Sequence, residues 1–385
     1  MNTKRIALIG LKHMGTEHYT SLIQLAGTGR LAIQALCDTD SAALALPPVR
    51  RDVHEIEMML SNSRTLSKRD RLGLLHEKML QVCNDRPALY ADYRDMLTKE
   101  PLDGIIVVTP NHLHREMVEL ALSKDINTLC EKPLAPTVAD CDAMLEAERR
   151  SAAFLQVGLH MRYRKLCHFV KQLIDAKRIG DIKMMWSQEF RGDWNPDGTK
   201  VDDKSGRATN WRYLEQQSGG SIVEKLCHDL DLFAWWVGCP PRQVFAYGGK
   251  AVYTQRETID HAAITVEYTN GAKLTITLCM FAPNSRFKGR YMGVVGDGGV
   301  LDLDIHSSSC TVYLRSGRVE NYDNIEEQTK AGFHPGNASF LQLVAFLDCM
   351  DNGKKPFADS QIGRDSVAVG VAAQESLRDG RVVDL

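Results

Sequence analysis

The feature that most constrains the fold is a rhythm in the first 158 residues. Short, continuous apolar runs alternate with stretches of helical spacing. Ile6-Ala7-Leu8-Ile9 ends in Gly10, a helix is expected over 15–26, and a second apolar run over 31–37 closes on Asp38. Gly104-Ile105-Ile106-Val107-Val108 stops at Thr109-Pro110, and helical spacing follows over 114–123. Asn127-Thr128-Leu129-Cys130 stops at Glu131-Lys132-Pro133. A helix over 140–150 and a strand over 153–158 complete the series. Strands that are apolar on both faces and separated by helices require a parallel sheet covered on both sides. That is a doubly wound α/β domain of the Rossmann type. Residues 50–88 interrupt the rhythm. Val53, Ile56 and Leu60, then Leu72, Leu75, Met79 and Val82, have helical periodicity. We read an inserted helical pair packing on its own domain in preference to a lid or a subunit contact.

After about residue 180 the pattern becomes strand-rich. Strands are expected over 182–190, 244–252, 262–268, 272–281, 291–295 and 310–314. Asn270-Gly271 between two alternating runs is a hairpin turn, and Gly296-Asp297-Gly298-Gly299 marks another turn. Helices are expected over 221–237, 338–352 and 361–377, the last returning toward the first domain. The 385 residues thus divide into a dinucleotide-binding domain, 1–158, and an α+β domain, 159–385, with a large, mostly antiparallel sheet.

Composition excludes several classes. A formal charge of -2, with acids close to each basic cluster, argues against a nucleic-acid surface. No apolar run approaches the ~20 residues of a membrane span. Lys12 interrupts the first apolar stretch, against a signal peptide. The 10 cysteines include no C-x-x-C pair, and several lie in strand-like runs. Reduced thiols in the cytoplasm are expected.

Gly10-Leu11-Lys12-His13-Met14-Gly15 lies where a strand turns into a helix. The dinucleotide fingerprint G-x-G-x-x-G uses its glycines for a tight turn, a close approach to the pyrophosphate and helix packing. Gly10 and Gly15 hold the first and third places, and Lys12 replaces the second. Lys12 either adds a positive charge near a phosphate or holds the cofactor further out. Asp38 ends the second strand, where an acid accepts hydrogen bonds from ribose hydroxyls and repels a 2′-phosphate. No arginine follows at once, which favours NAD over NADP. The alternative for Asp38 is a helix cap.

Thr109-Pro110-Asn111-His112-Leu113-His114, Glu131-Lys132-Pro133-Leu134, Gly219-Gly220-Ser221 and the stretch from Glu224 to Asp231 together resemble the Gfo/Idh/MocA oxidoreductase family. The resemblance covers nearly the whole chain apart from 50–88. It implies oxidation or reduction of a secondary alcohol on a sugar, inositol or glycoside, with the open sheet face making a homo-oligomer. It assigns Thr109, Pro110, Asn111 and His114, with Glu131 and Lys132, to the nicotinamide side of the site. The family's aspartate and histidine, four residues apart, correspond to Glu224 and His228. Redox-neutral chemistry by transient oxidation, or a regulator that binds NAD without turnover, are the rival readings.

Alcohol oxidation needs a base and a group that stabilises the developing alkoxide. His228 is the expected base, with an ordinary pKa of about 6.5. Glu224 or Asp231, on the same helix face, is expected to orient it. Lys132 is expected to hold the alkoxide, and burial is expected to lower its pKa. Arg162, Tyr163 and Arg212 are candidate substrate contacts, and Trp186, Glu189, Trp194 and Trp211 lie on segments expected near the cleft. A metal site is not expected: Cys227 and His228 are neighbours on opposite sides of a helix.

Overall fold

The computed structural model describes residues 3–46, 50–61, 66–83, 86–192, 210–283, 289–325 and 338–385. The first sheet contains β1 (Lys4–Ile9), β2 (Leu31–Cys37), β3 (Ala88–Tyr90), β4 (Gly104–Val107), β5 (Asn127–Cys130) and β6 (Leu155–Val157). Their order is β3-β2-β1-β4-β5-β6 and every pairing is parallel. The connections carry α1 (Met14–Ala26), α2 (Ser41–Leu44), α3 (Val53–Ser61), α4 (Lys68–Val82), α5 (Tyr93–Lys99), α6 (His114–Leu122) and α7 (Val138–Arg149). Strand order reverses between β1 and β4, and ligands of such sheets bind in the crevice at the carboxyl ends there. Ile9 pairs with Val107, and Val107 with Cys130. The glycine loop, the Thr109 turn and the Glu131-Lys132 turn therefore leave the sheet side by side. The inserted pair α3–α4 lies on its own sheet's helices. Tyr19 Oη meets His76 Nδ1 at 3.0 Å and Arg71 meets Glu17 at 2.8 Å.

The second sheet contains β7 (Ile182–Phe190), β8 (Pro241–Gly249), β9 (His261–Tyr268), β10 (Lys273–Cys279), β11 (Gly289–Gly296), β12 (Gly299–Asp304), β13 (Ser309–Leu314), β14 (Val319–Tyr322) and β15 (Val383–Asp384). Its order is β14-β13-β12-β11-β7-β10-β9-β8-β15, antiparallel except where β7 meets β10. The remaining helices are α8 (Lys165–Asp175), α9 (Glu215–Ser218), α10 (Gly220–Val237), α11 (Ala338–Asn352) and α12 (Ser360–Asp379). Val170, Leu226, Phe233 and Trp236 from α8 and α10 pack on Val244, Ile264, Ile276 and Met292 of one sheet face. Among the described residues no helix is long and apolar enough to cross a membrane.

Several details depart from the sequence reading, among them β3, α5 and β15, which are too short to show a periodicity. β8 ends at Gly249 instead of residue 252, because Asp260 takes the backbone N–H groups of Ala251, Val252 and Tyr253, leaving them no ladder. β12 and β14 were not anticipated, since Asp302, Asp304 and Glu320 dilute their apolar alternation. α11 follows the second sheet in sequence, yet Leu343, Phe346 and Leu347 pack with Ile6, Leu22 and Ile106 of the first.

Candidate active site

The glycine loop is defined by contact distances. Gly10 has φ 93°, and a Cβ there would stand 2.5 Å from the Val108 carbonyl oxygen. A Cβ on Gly15 would stand 2.2 Å from the Gly10 carbonyl oxygen. Both glycines are fixed by close backbone approach, as a dinucleotide cradle requires. The positive φ between them falls on His13 (47°), so Lys12 is accommodated without a glycine's freedom. Its ammonium lies 3.0 Å from Asp40. Asp38 accepts from Leu11 N at 2.8 Å and from Asp40 N at 2.9 Å, tying the end of β2 to the loop. The helix cap is Asp40, not Asp38: it accepts from Ala42 N at 3.0 Å. Gly10→Ala is expected to weaken NAD binding by roughly tenfold or more, because the loop must shift to clear Val108. Calorimetric titration of NAD against both proteins measures it.

Two residues expected to contact cofactor act as braces. His114 is fully buried, with Nε2 3.0 Å from the Thr109 carbonyl and Nδ1 3.2 Å from that of Leu134, so it ties the β4 turn to the β5 turn. Glu131 is buried, 2.7 Å from His18 Nε2, and its other oxygen accepts from Lys132 N. Burial opposes its charge, but His18 and the nearby cations hold it below the usual carboxylate range. Asn111 donates to the Ser218 carbonyl at 2.8 Å, joining the β4 turn to the start of α10. Gly219 and Gly220 allow that approach. Both have positive φ, and a Cβ on Gly219 would meet the Pro136 carbonyl oxygen at 3.0 Å.

Through this junction the two halves share a charged cluster. Lys132 Nζ donates to the Glu224 carbonyl at 3.0 Å and lies 3.8 Å from its carboxylate. The other carboxylate oxygen is 2.6 Å from Lys225 Nζ. Burial would raise Glu224, but Lys225 and Lys132 bring it down to about 2. Burial likewise opposes the charge on Lys132, yet Glu224, Cys227 and Glu131 leave its pKa raised, contrary to the lowering expected from sequence. It is Lys225 that is lowered, to about 8, by burial that Glu224 only partly offsets.

His228 lies one helical turn beyond Glu224 and is 5% exposed. Neither ring nitrogen has a hydrogen-bond partner among the described residues. The expected carboxylate partner is therefore not found: Glu224 serves the lysines, and Asp231 is bound to Arg162 at 2.8 Å. His160 is its ring neighbour, with centroids 4.4 Å apart and planes at 70°. Burial, and then His160, Lys132, Arg290 and Arg191, push His228 well below its ordinary 6.5, and burial takes His160 to about 4.

The expected substrate contacts separate. Arg162 is buried against Asp231 between the Trp235 and Phe357 rings, and Tyr163 packs edge-on to Phe357, so both serve packing. Trp186 alternates with the buried Met185 and Ser187, and so occupies the sheet's outer face. Trp194 lies outside the described residues. Arg212, 4.4 Å above the Trp211 ring, does line a small cleft with Ser221, Glu224, Lys225 and Arg256. Sequence reasoning missed Lys225, His160, Arg256 and Arg290. Arg290 forms ion pairs with Glu189 at 2.9 Å and Asp229 at 3.0 Å beneath the site, and Ser187 donates to Asp229. Ser187 and Glu189, two apart on β7, were the available clue.

Family models describe both halves. That of the oxidoreductase family, NAD-binding Rossmann fold, matches residues 4–159, and that of its C-terminal alpha/beta domain matches 171–385. The 2,7-anhydro-N-acetylneuraminate hydratase of Mediterraneibacter gnavus is 27% identical over 235 residues, 60% of this chain and 59% of that protein. The inositol 2-dehydrogenase of Salmonella typhimurium is 24% identical over 224 residues, 57% of this chain and 60% of that protein. Each match thus spans under two thirds of the relative. The crystal structure of myo-inositol 2-dehydrogenase from Lactobacillus plantarum superposes over 100% of this chain and 99% of that one, with a TM-score of 0.75 at 22% identity. By both domain models, the chain belongs to the Gfo/Idh/MocA oxidoreductase family.

Proposed function

We propose that this chain is an NAD-dependent dehydrogenase acting on a secondary alcohol of a sugar, inositol or glycoside. One observation carries the reading. Lys132, at the carboxyl edge of the parallel sheet, is held on Glu224, one turn before His228, whose neutral ring has no hydrogen-bond partner among the described residues. The residues at that edge fit a dinucleotide: Gly10 and Gly15 leave no room for a Cβ, and Asp38 is fixed beside the loop. A nicotinamide dinucleotide held by the glycine loop and Asp38 would supply the acceptor for the hydride of the alcohol carbon. Lys132 keeps its proton and donates from its ammonium to the alcohol oxygen, stabilising negative charge as it develops. His228, neutral and one helical turn beyond Glu224, accepts the hydroxyl proton. Glu224 positions Lys132 without taking part itself, since it stays ionised.

The depressed His228 pKa fixes the pH dependence. The neutral ring is the active form for oxidation, and its protonation begins well below 6.5. The rate of alcohol oxidation is expected to hold between pH 7 and pH 6, and a loss centred near 6.5 would remove His228 from the role. Lys225, with its pKa near 8, titrates above that window.

Asp38 supports NAD over NADP, because a 2′-phosphate beside a carboxylate costs several kcal/mol, about 10²-fold or more in kcat/KM. Initial rates with each cofactor test this; equal rates would reject it. A homo-oligomer through the outer sheet face fits the exposure of Met184, Tyr247 and Tyr313 there. The hydratase name of one relative favours a second reading, transient oxidation without net redox change. Stoichiometric NADH formation separates the two: the dehydrogenase produces it and the redox-neutral enzyme does not.

A further inference from the structure

The inserted helices α3 and α4 reach the loop that carries Asp38. On α4 an apolar stripe, Leu72, Leu75 and Met79, shares one cluster with Leu11 of the glycine loop, Tyr19 of α1 and Ala43 of α2. His76 stands in that stripe, between Leu72 and Met79, and is 1% exposed. Packing alone would place an apolar residue there, because a buried polar group is costly unless it is bonded. Both ring nitrogens of His76 are used. Nε2 lies 2.8 Å from the Ala43 carbonyl oxygen and Nδ1 lies 3.0 Å from Tyr19 Oη. A carbonyl only accepts, so Nε2 carries the hydrogen and Nδ1 accepts from the Tyr19 hydroxyl. Burial pushes the ring below its ordinary 6.5 and keeps it neutral.

We propose that α3 and α4 hold the adenosine end of the dinucleotide site in its binding form, with His76 as the positioning residue; this rests on the NAD-binding part of the dehydrogenase reading. The segment that His76 holds is short. Asp38 follows β2, Asp40 caps α2, and α2 has 4 residues. A single helical turn is not stable by itself, since nucleation fixes several residues for one backbone bond. Asp40 also pairs with Lys12 at 3.0 Å, and Asp38 accepts from Leu11 N. A displaced α2 would therefore disturb the groups that flank the glycine loop. One ring, bonded to α1 on one side and to α2 on the other, fixes both elements.

The insertion is itself anchored. Glu77 accepts from Arg50 N and Arg51 N, both at 2.5 Å, and from the Arg51 guanidinium at 2.9 Å. Lys78 Nζ lies 2.7 Å from Glu57 of α3. Arg71 reaches Glu17, in the first turn of α1, at 2.8 Å. His76, Glu77 and Lys78 are thus buried in succession, the first bonded toward the cofactor loop and the other two within the insertion. A loop held in one arrangement binds without a further ordering cost. If its binding form falls to a fraction of the population, the apparent dissociation constant rises by the inverse of that fraction.

The test is calorimetric titration of the full-length protein with NAD and with ADP-ribose, which lacks the nicotinamide. His76→Phe keeps a flat ring and removes both bonds. It is expected to raise the dissociation constants for NAD and ADP-ribose together, by about fivefold or more. His76→Gln keeps a donor for the Ala43 carbonyl and is expected to stay within about twofold of the wild type. If His76→Phe does not fold, His76→Asn, too short to reach Ala43, takes its place with the same expectation. Unchanged affinity for both ligands would overturn the proposal. So would a loss for NAD with ADP-ribose unaffected, or equal losses in the Phe and Gln variants, which mark a ring that serves stability alone. Wild-type protein that takes up no NAD would sink the dehydrogenase reading as well, whereas the other contrary results leave that reading standing.

Discussion

His228→Ala is expected to lower turnover by roughly 10²-fold or more, with NAD affinity kept within about threefold. The size follows from the loss of the proton acceptor at a buried site where bulk water is a poor substitute. The selectivity follows from position: His228 stands on α10 in the second half, and the glycine loop and Asp38 stand on the first sheet. The ring makes no hydrogen bond to a described protein group, so its removal leaves no donor or acceptor stranded. Steady-state kinetics with a calorimetric NAD titration checks both halves. Near-normal turnover would move the base elsewhere, with Lys225 the next group to examine.

Lys132→Met is expected to lower kcat by roughly 10²-fold to 10³-fold, because the donor to the developing alkoxide is lost while the stem is kept. Folding should suffer less than catalysis. Removing one partner of a buried pair ordinarily costs about 3–5 kcal/mol. Here Glu224 keeps Lys225 at 2.6 Å, so the unfolding free energy should fall by less than that. Kinetics and denaturant unfolding of the same variant separate the two effects. A loss confined to stability, with kcat intact, would make Lys132 a structural cation.

Five strands of the first sheet were legible because they are continuous apolar runs with a turn residue at the carboxyl end, as in a covered parallel sheet; the three-residue β3 was not. The same ends carry the site, so Gly10, Asp38, Thr109 and Lys132 could be placed from sequence order alone. What sequence could not supply was side-chain partnering across the two halves. Helical spacing put Glu224 and Asp231 within reach of His228, but Lys132 and Lys225 claim the first and Arg162 the second. Those competitors stand tens of residues away or, for Lys225, at an adjacent position that helical periodicity assigns to another face. The direction of the Lys132 shift was misread for the same reason. Burial was foreseeable, but its offset by Glu224 at Lys132, and only in part at Lys225, depends on distances. Arg162 and Tyr163 stood next to the crevice in sequence and were consumed by packing on Phe357.

The most direct measurement is a crystal structure of the protein with NAD. The dinucleotide is expected to run from Asp38 across Gly10-Leu11-Lys12, with the reactive carbon of its nicotinamide facing a space bordered by Lys132 Nζ and the His228 ring. A nicotinamide ring turned away from both side chains, or a dinucleotide seated anywhere other than the carboxyl edge of β1 and β4, would contradict the account.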